Sequence, residues 1–99
     1  MIPAAVAVLN NEMRYVCVSN RWATDYKLEP AEIIGLSHYD VFPNIPERWK
    51  QFHQRCLQGE RISAKEDQFI REDGRIDWVR WELVPLENDD GVVTGIIIF

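Results

Sequence analysis

The chain has 99 residues, of which 46% are hydrophobic and 27% charged, and its net charge is −5. That is enough for one domain around one core, and the balance is that of a folded chain, not a disordered one. The acidic balance, with basic residues interrupted by acids as in Arg71-Glu72-Asp73-Gly74-Arg75, argues against a nucleic-acid interface and against a membrane-surface role, and no apolar run reaches transmembrane length.

Residues 5–9 form a short apolar run, and Asn10-Asn11-Glu12 reads as a turn because Asn tolerates left-handed backbone angles. Residues 14–18 are a second β-rich run, so the two predict a hairpin. Met1-Ile2-Pro3 leads straight into this hairpin. Ser19 is placed to cap a helix that carries Trp22, Ala23 and Tyr26 at helical spacing. Residues 29–35 read as a compact helix, with Pro30 near its start, Glu32 in the first turn and Gly35 as its stop. Residues 38–42 predict one more helical turn before Pro43.

Pro46 opens the longest helix, which runs to Gly59. Trp49, Phe52, His53, Cys56 and Leu57 recur at i, i+3, i+4, i+7 and i+8, a single apolar stripe. Three strands follow, over residues 62–71, 76–85 and 92–99, joined by Asp73-Gly74 and by Asn88-Asp89-Asp90-Gly91. The fold class is therefore α+β: an antiparallel sheet with its helices inserted after the second strand. Ile96-Ile97-Ile98-Phe99 is an apolar strand that stops abruptly, which predicts a piece of a longer protein.

Cys17 and Cys56 each lie in an apolar segment, without a partner at metal-ligand spacing, and the pair is too sparse for a disulfide scaffold. Both read as reduced, buried thiols of a cytosolic protein. Trp78 and Trp81 fall on opposite faces of their strand, because strand side chains alternate. The last strand is apolar on both faces, so the outer side of the sheet is expected to be covered, and a homodimer through that face is the natural cover. The alternative is a mildly apolar sheet face with no partner.

The residues resemble the PAS family over nearly the whole chain. The resemblance rests on Arg14-Tyr15, Ser19-Asn20-Arg21-Trp22, Tyr26, Pro30-Ala31-Glu32-Ile33-Ile34-Gly35, Tyr39-Asp40-Val41-Phe42-Pro43, Cys56-Leu57-Gln58-Gly59-Glu60, and Asp73-Gly74 with Trp78 and Trp81. It looks like the variety found in bacterial sensor histidine kinases and cyclic-di-GMP enzymes. It implies a five-stranded antiparallel sheet with helices packed on one face. It also implies a pocket between sheet and long helix, and flanking helices that carry signals to an output domain.

Such pockets hold heme, flavin, small metabolites or nothing, so the cofactor is unknown at this point. Heme-binding relatives use a histidine on the long helix, which places a heme iron at His53; on the residues alone, His53 reads first as a hydrogen-bonded core histidine. Light-sensing relatives carry Asn-Cys-Arg-Phe where this chain has His38-Tyr39-Asp40-Val41-Phe42, so flavin photochemistry is not expected. The ligand-pocket candidates are Tyr39, Phe42, Trp49, His53, Cys56, Phe69, Trp81 and Ile97, with Tyr39, His53 and the indole N–H groups of Trp49 or Trp81 as polar handles. No metal site is expected. Glu66, Asp67, Glu72 and Asp73 read as solvated strand ends and turn.

No catalytic set is legible: Ser19 reads as a cap, and there is no Gly-rich phosphate loop. A sensor and dimerisation domain is the leading expectation. Its rivals are a ligand-free interaction module and a small α+β enzyme built around Tyr39-Asp40.

Overall fold

The computed structural model describes residues 4–99. Met1-Ile2-Pro3 and their predicted lead into the first strand lie outside the described residues. The strands are β1 (Ala7–Asn10), β2 (Tyr15–Val18), β3 (Ile62–Ile70), β4 (Ile76–Glu87) and β5 (Val93–Ile98). Four helices fall between β2 and β3: α1 (Asn20–Asp25), α2 (Pro30–Ile33), α3 (His38–Val41) and α4 (Glu47–Leu57). The sheet order is β2-β1-β5-β4-β3, and every neighbouring pair is antiparallel. The first and last strands thus lie side by side, and the α+β layout is as expected.

Local chemistry accounts for the joints. Ser19 caps α1 by accepting from the Trp22 amide at 3.2 Å. The same hydroxyl accepts from the Val6 amide at 2.9 Å and donates to the Ala4 carbonyl at 2.9 Å. One side chain therefore ties the start of the helix to the segment entering β1. In the β1–β2 turn the Asn10 side chain accepts from the amides of Glu12 and Arg14, but the left-handed residue is Met13, not an asparagine. Met13 is buried, so packing outweighs the backbone cost of positive φ. Gly59 takes φ +107 just beyond α4, as its stop requires.

The inner face of the sheet carries Ala7, Leu9, Tyr15, Leu83, Ile96 and Ile98, all packed with Trp22, Ile33 and Cys56 of the helices. Each Leu, Ile or Trp buried there contributes on the order of 1.5–3 kcal/mol. Gly95 is forced by the closeness of β1 and β5, since a Cβ there would stand 2.0 Å from the Leu9 carbonyl oxygen.

Two expectations about sides of the sheet are corrected. Ile97 pairs with Val8 and Val84 and faces outward, while its neighbours Ile96 and Ile98 face the helices. Its place near the pocket is taken by Ile98. Cys17 is exposed, not buried. The register pairs Val8 with Cys17 but Leu9 with Tyr15, so Val16 is an extra residue in a bulge. The bulge turns Cys17 to the outer side while Tyr15 stays in the core. Cys56 is fully buried, as expected, and its thiol is pushed up to about 11 by burial.

Trp78 and Trp81 do point to opposite sides. Trp78 is 67% exposed on the outer face, where Ile76, two residues before it on β4, is also exposed. β4 also outruns β5: beyond the paired Glu82 and Phe99, it is bonded to β3 alone among the described residues.

Candidate ligand cavity

Between the inner face of the sheet and α3–α4 lies a cavity of about 240 Å³. Trp22 and Tyr26 from α1 and its end, His38 from α3 with Phe42 just beyond it, and Trp49, Phe52 and His53 from α4 line it on the helical side. Phe69, Val79, Trp81, Leu83 and Ile98 line it on the sheet side. The i, i+3, i+4 stripe of α4 is what turns Trp49, Phe52 and His53 inward together. The aromatic rings brace one another: Trp49 is nearly parallel to Phe69 at 5.8 Å, and Phe52 meets Trp81 at 5.4 Å.

The polar part of the wall is a pair of histidines. His38 and His53 are both buried, and their rings are 5.3 Å apart. His38 Nδ1 is bonded to the hydroxyl of Tyr15, and His53 Nδ1 to that of Tyr39 at 2.9 Å. Burial, with the nearby His53 adding to it, pushes His38 down to about 3; burial pushes His53 down to about 4. Both rings are therefore neutral at neutral pH. Burial likewise raises both tyrosines, Tyr39 to about 12 with help from Glu47, so both hydroxyls keep their protons. Among the described residues neither histidine Nε2 has a hydrogen-bond partner. The Trp22 indole N–H is also buried without a partner.

A second polar cluster props the wall from behind. Asp67 on β3 accepts from Trp49 Nε1 at 2.8 Å and from Trp81 Nε1 at 3.0 Å, and it also takes a bond from Arg48. Burial alone would raise this carboxyl; the bonds from Trp81, Arg48, Trp49 and the Gln68 amide outweigh it and hold it below the usual carboxylate range. Asp67 is thus an anchor for two tryptophans and not a solvated strand end.

Of the candidates named from the sequence, the structure brings Phe42, Trp49, His53, Phe69 and Trp81 together around the cavity. Tyr39 stands one shell behind, holding His53. Cys56 does not reach the wall, because it points into the core beside β5, one helical turn beyond His53. The indole N–H groups of Trp49 and Trp81 are not ligand handles, since Asp67 occupies both. Sequence reasoning missed His38, Trp22 and Tyr26 as wall residues. Only Ser37, whose hydroxyl accepts from the Tyr39 amide at 3.2 Å and so starts α3, hinted that His38 sits on an ordered turn.

A heme does not fit these residues. A cavity of roughly 150 Å³ holds one benzene ring, and a macrocycle of four pyrroles needs several times that. Among the described residues there is no group of three or more His, Cys, Asp or Glu side chains able to hold a metal ion, and no helix is long and apolar enough to cross a membrane.

Comparison with solved structures agrees with the architecture. The VqmA–ligand–DNA complex from Vibrio cholerae superimposes with a TM-score of 0.80 at 14% identity, over 100% of this chain and 46% of that one. A sensory box sensor histidine kinase from Vibrio cholerae gives 0.75 at 14% identity, over 98% of this chain and 79% of that one. The PAS domain of a Colwellia psychrerythraea protein gives 0.75 at 18% identity, over 95% and 80%. At such identities the likeness shows the fold alone, and this chain spans about half of the VqmA chains it matches. No curated protein sequence matches. The model of the PAS fold family matches residues 1–99, the whole length. With its β-β-helices-β-β-β order and its cavity between sheet and long helix, this chain belongs to the PAS fold family.

Proposed function

We propose that this chain is one sensory domain of a longer cytoplasmic signalling protein, a sensor histidine kinase or a cyclic-di-GMP enzyme, and that it performs no chemistry of its own. It senses a small molecule in the cavity between α4 and the sheet. The observation that carries this reading is the cavity itself, ringed by braced aromatics with two neutral imidazoles on its wall. A ligand that buries apolar surface against these aromatic walls gains from that burial and favours the conformation that closes on it. The sheet then biases flanking helices between two arrangements.

The outer face of the sheet supports a second role. Ile76 and Trp78 are exposed apolar groups on this face of an acidic domain, and a second copy of the chain would cover them. We read this face as a homodimer contact. The VqmA structures include one of a dimer and one with DNA; in them the part like this chain is about half of the whole. The net charge of −5 argues that this segment does not itself touch nucleic acid.

Native mass spectrometry of the freshly purified domain, beside its denatured mass, tests the reading. A small-molecule adduct released on denaturation supports the sensor. A bare chain at twice the monomer mass supports the ligand-free interaction module instead.

A further inference from the structure

We propose that a second copy of the chain packs face to face on the outer side of the sheet with its β4 antiparallel to this one. Arg80 of each copy then meets Glu82 of the other, and Trp78 of each stands over Val84 of the other. This rests on the reading of the outer face as a homodimer contact and adds the register in which the two faces meet.

Strand alternation decides what β4 turns outward. Trp81 and Leu83 line the cavity, so Arg80, Glu82 and Val84 fall on the opposite side with Ile76 and Trp78. The extra residue of the β3–β4 pairing lies in β3, between Ala64 and Asp67, so the alternation of β4 is unbroken there. Along that face the strand carries exposed apolar groups at one end, Ile76 and Trp78, and a half-buried one at the other, Val84. Val84 lies beside Ile97 of β5, and Leu86 lies beside Gly95, where the lack of a side chain leaves room. Arg80 and Glu82 stand between the two ends. They are of opposite sign, yet among the described residues neither has an ion-pair partner.

A two-fold contact is self-complementary: if residue i meets residue j, then j meets i. With the axis across the strands at the level of Trp81, Arg80 meets the partner's Glu82, and the same pair forms again from the other copy. That axis also sets Trp78 over the partner's Val84 and Ile97, and Ile76 over the partner's Leu86 beside the space at Gly95. Other registers fail on charge. An axis at Arg80 or at Glu82 sets like charges together, and parallel strands set each residue against itself. An axis at Val79 or at Leu83 turns both charges onto apolar groups and leaves them unpaired. Lys65 and Glu66 in the β3 bulge are adjacent and of opposite sign, so together they add no net charge beside the contact.

Sedimentation equilibrium of the domain and its charge variants tests the register. Arg80→Glu and Glu82→Arg each set like charges together at both contacts, and each alone should weaken the dimer at least about tenfold. An equimolar mixture of the two variants restores opposite charges at both contacts. Its heterodimer should form within about threefold of the unaltered constant, which also shows that both variants fold. Arg80→Gln should weaken the dimer, and so should added salt. A dimer that tightens with Arg80→Gln or with salt would overturn the register and leave the outer-face reading intact. So would one that ignores both charge reversals while Trp78→Arg still disperses it. A domain that stays monomeric when concentrated, or a dimer indifferent to every one of these variants, would overturn both.

Discussion

Acid should unfold this domain earlier than its carboxylates would suggest, because two buried histidines stay neutral in the fold. The ordinary histidine value is 6.5; His38 is pushed down to about 3 and His53 to about 4. The unfolded chain therefore binds protons at pH values where the folded chain does not. The stability tied to the neutral rings is fully present above pH 6.5 and is lost as pH falls towards the folded values. Between pH 7.5 and 5, each unfolded histidine gains about 1.5 pH units of proton binding that the fold denies it. At about 1.4 kcal/mol per unit this is about 2 kcal/mol per ring and about 4 kcal/mol for both. The groups facing the pair are Tyr15, Tyr39, Trp22 and Phe42, none of which titrates in that window. Urea titrations at half-unit pH steps read the slope, and His53→Gln should remove about half of it. A flat stability profile from pH 7.5 to 5, or an unchanged slope in the variant, would refute the neutral-pair description.

Other perturbations report on different parts of the structure. Asp67→Ala leaves the indole N–H groups of Trp49 and Trp81 unpaired behind the cavity wall; it should cost about 2–4 kcal/mol in chemical denaturation and shift tryptophan fluorescence, with Asp67→Asn milder because one acceptor remains. Gly95→Ala sets a methyl group against the Leu9 carbonyl and should destabilise by at least about 2 kcal/mol, read as a lowered Tm; a neutral result would mean that β1 and β5 stand further apart. Trp78→Arg, on the exposed outer face, should leave monomer stability within about 0.5 kcal/mol and shift sedimentation of concentrated protein from dimer to monomer. A dimer that persists in this variant would remove Trp78 from the contact.

Much of the architecture was legible because periodicity is local. The α4 stripe, the Asp73-Gly74 turn and the alternation that parts Trp78 from Trp81 each follow from residues close in sequence. What was not legible needed tertiary information. The bulge at Val16 reverses the side that Cys17 faces, and nothing in Tyr15-Val16-Cys17-Val18 marks where an extra residue will sit. Ile97 was misplaced for a related reason: in three successive isoleucines, alternation gives two classes but not which class faces inward. Asp67 resembles any surface acid until β3 is laid beside α4 and two indoles converge on it. His38 and His53 are 15 residues apart along the chain, and only the packing of α3 against α4 makes them neighbours.

The most direct test of the central claim is a nitrogen-labelled spectrum of the domain, with all four indole N–H signals assigned, recorded during titration with a set of small uncharged fragments sized to the cavity. If the cavity between α4 and the sheet is a ligand site, the Trp22 signal moves and saturates. The exposed Trp78 signal on the far side of the sheet stays still. Movement centred on Trp78, or no saturable movement at any indole, would contradict the account.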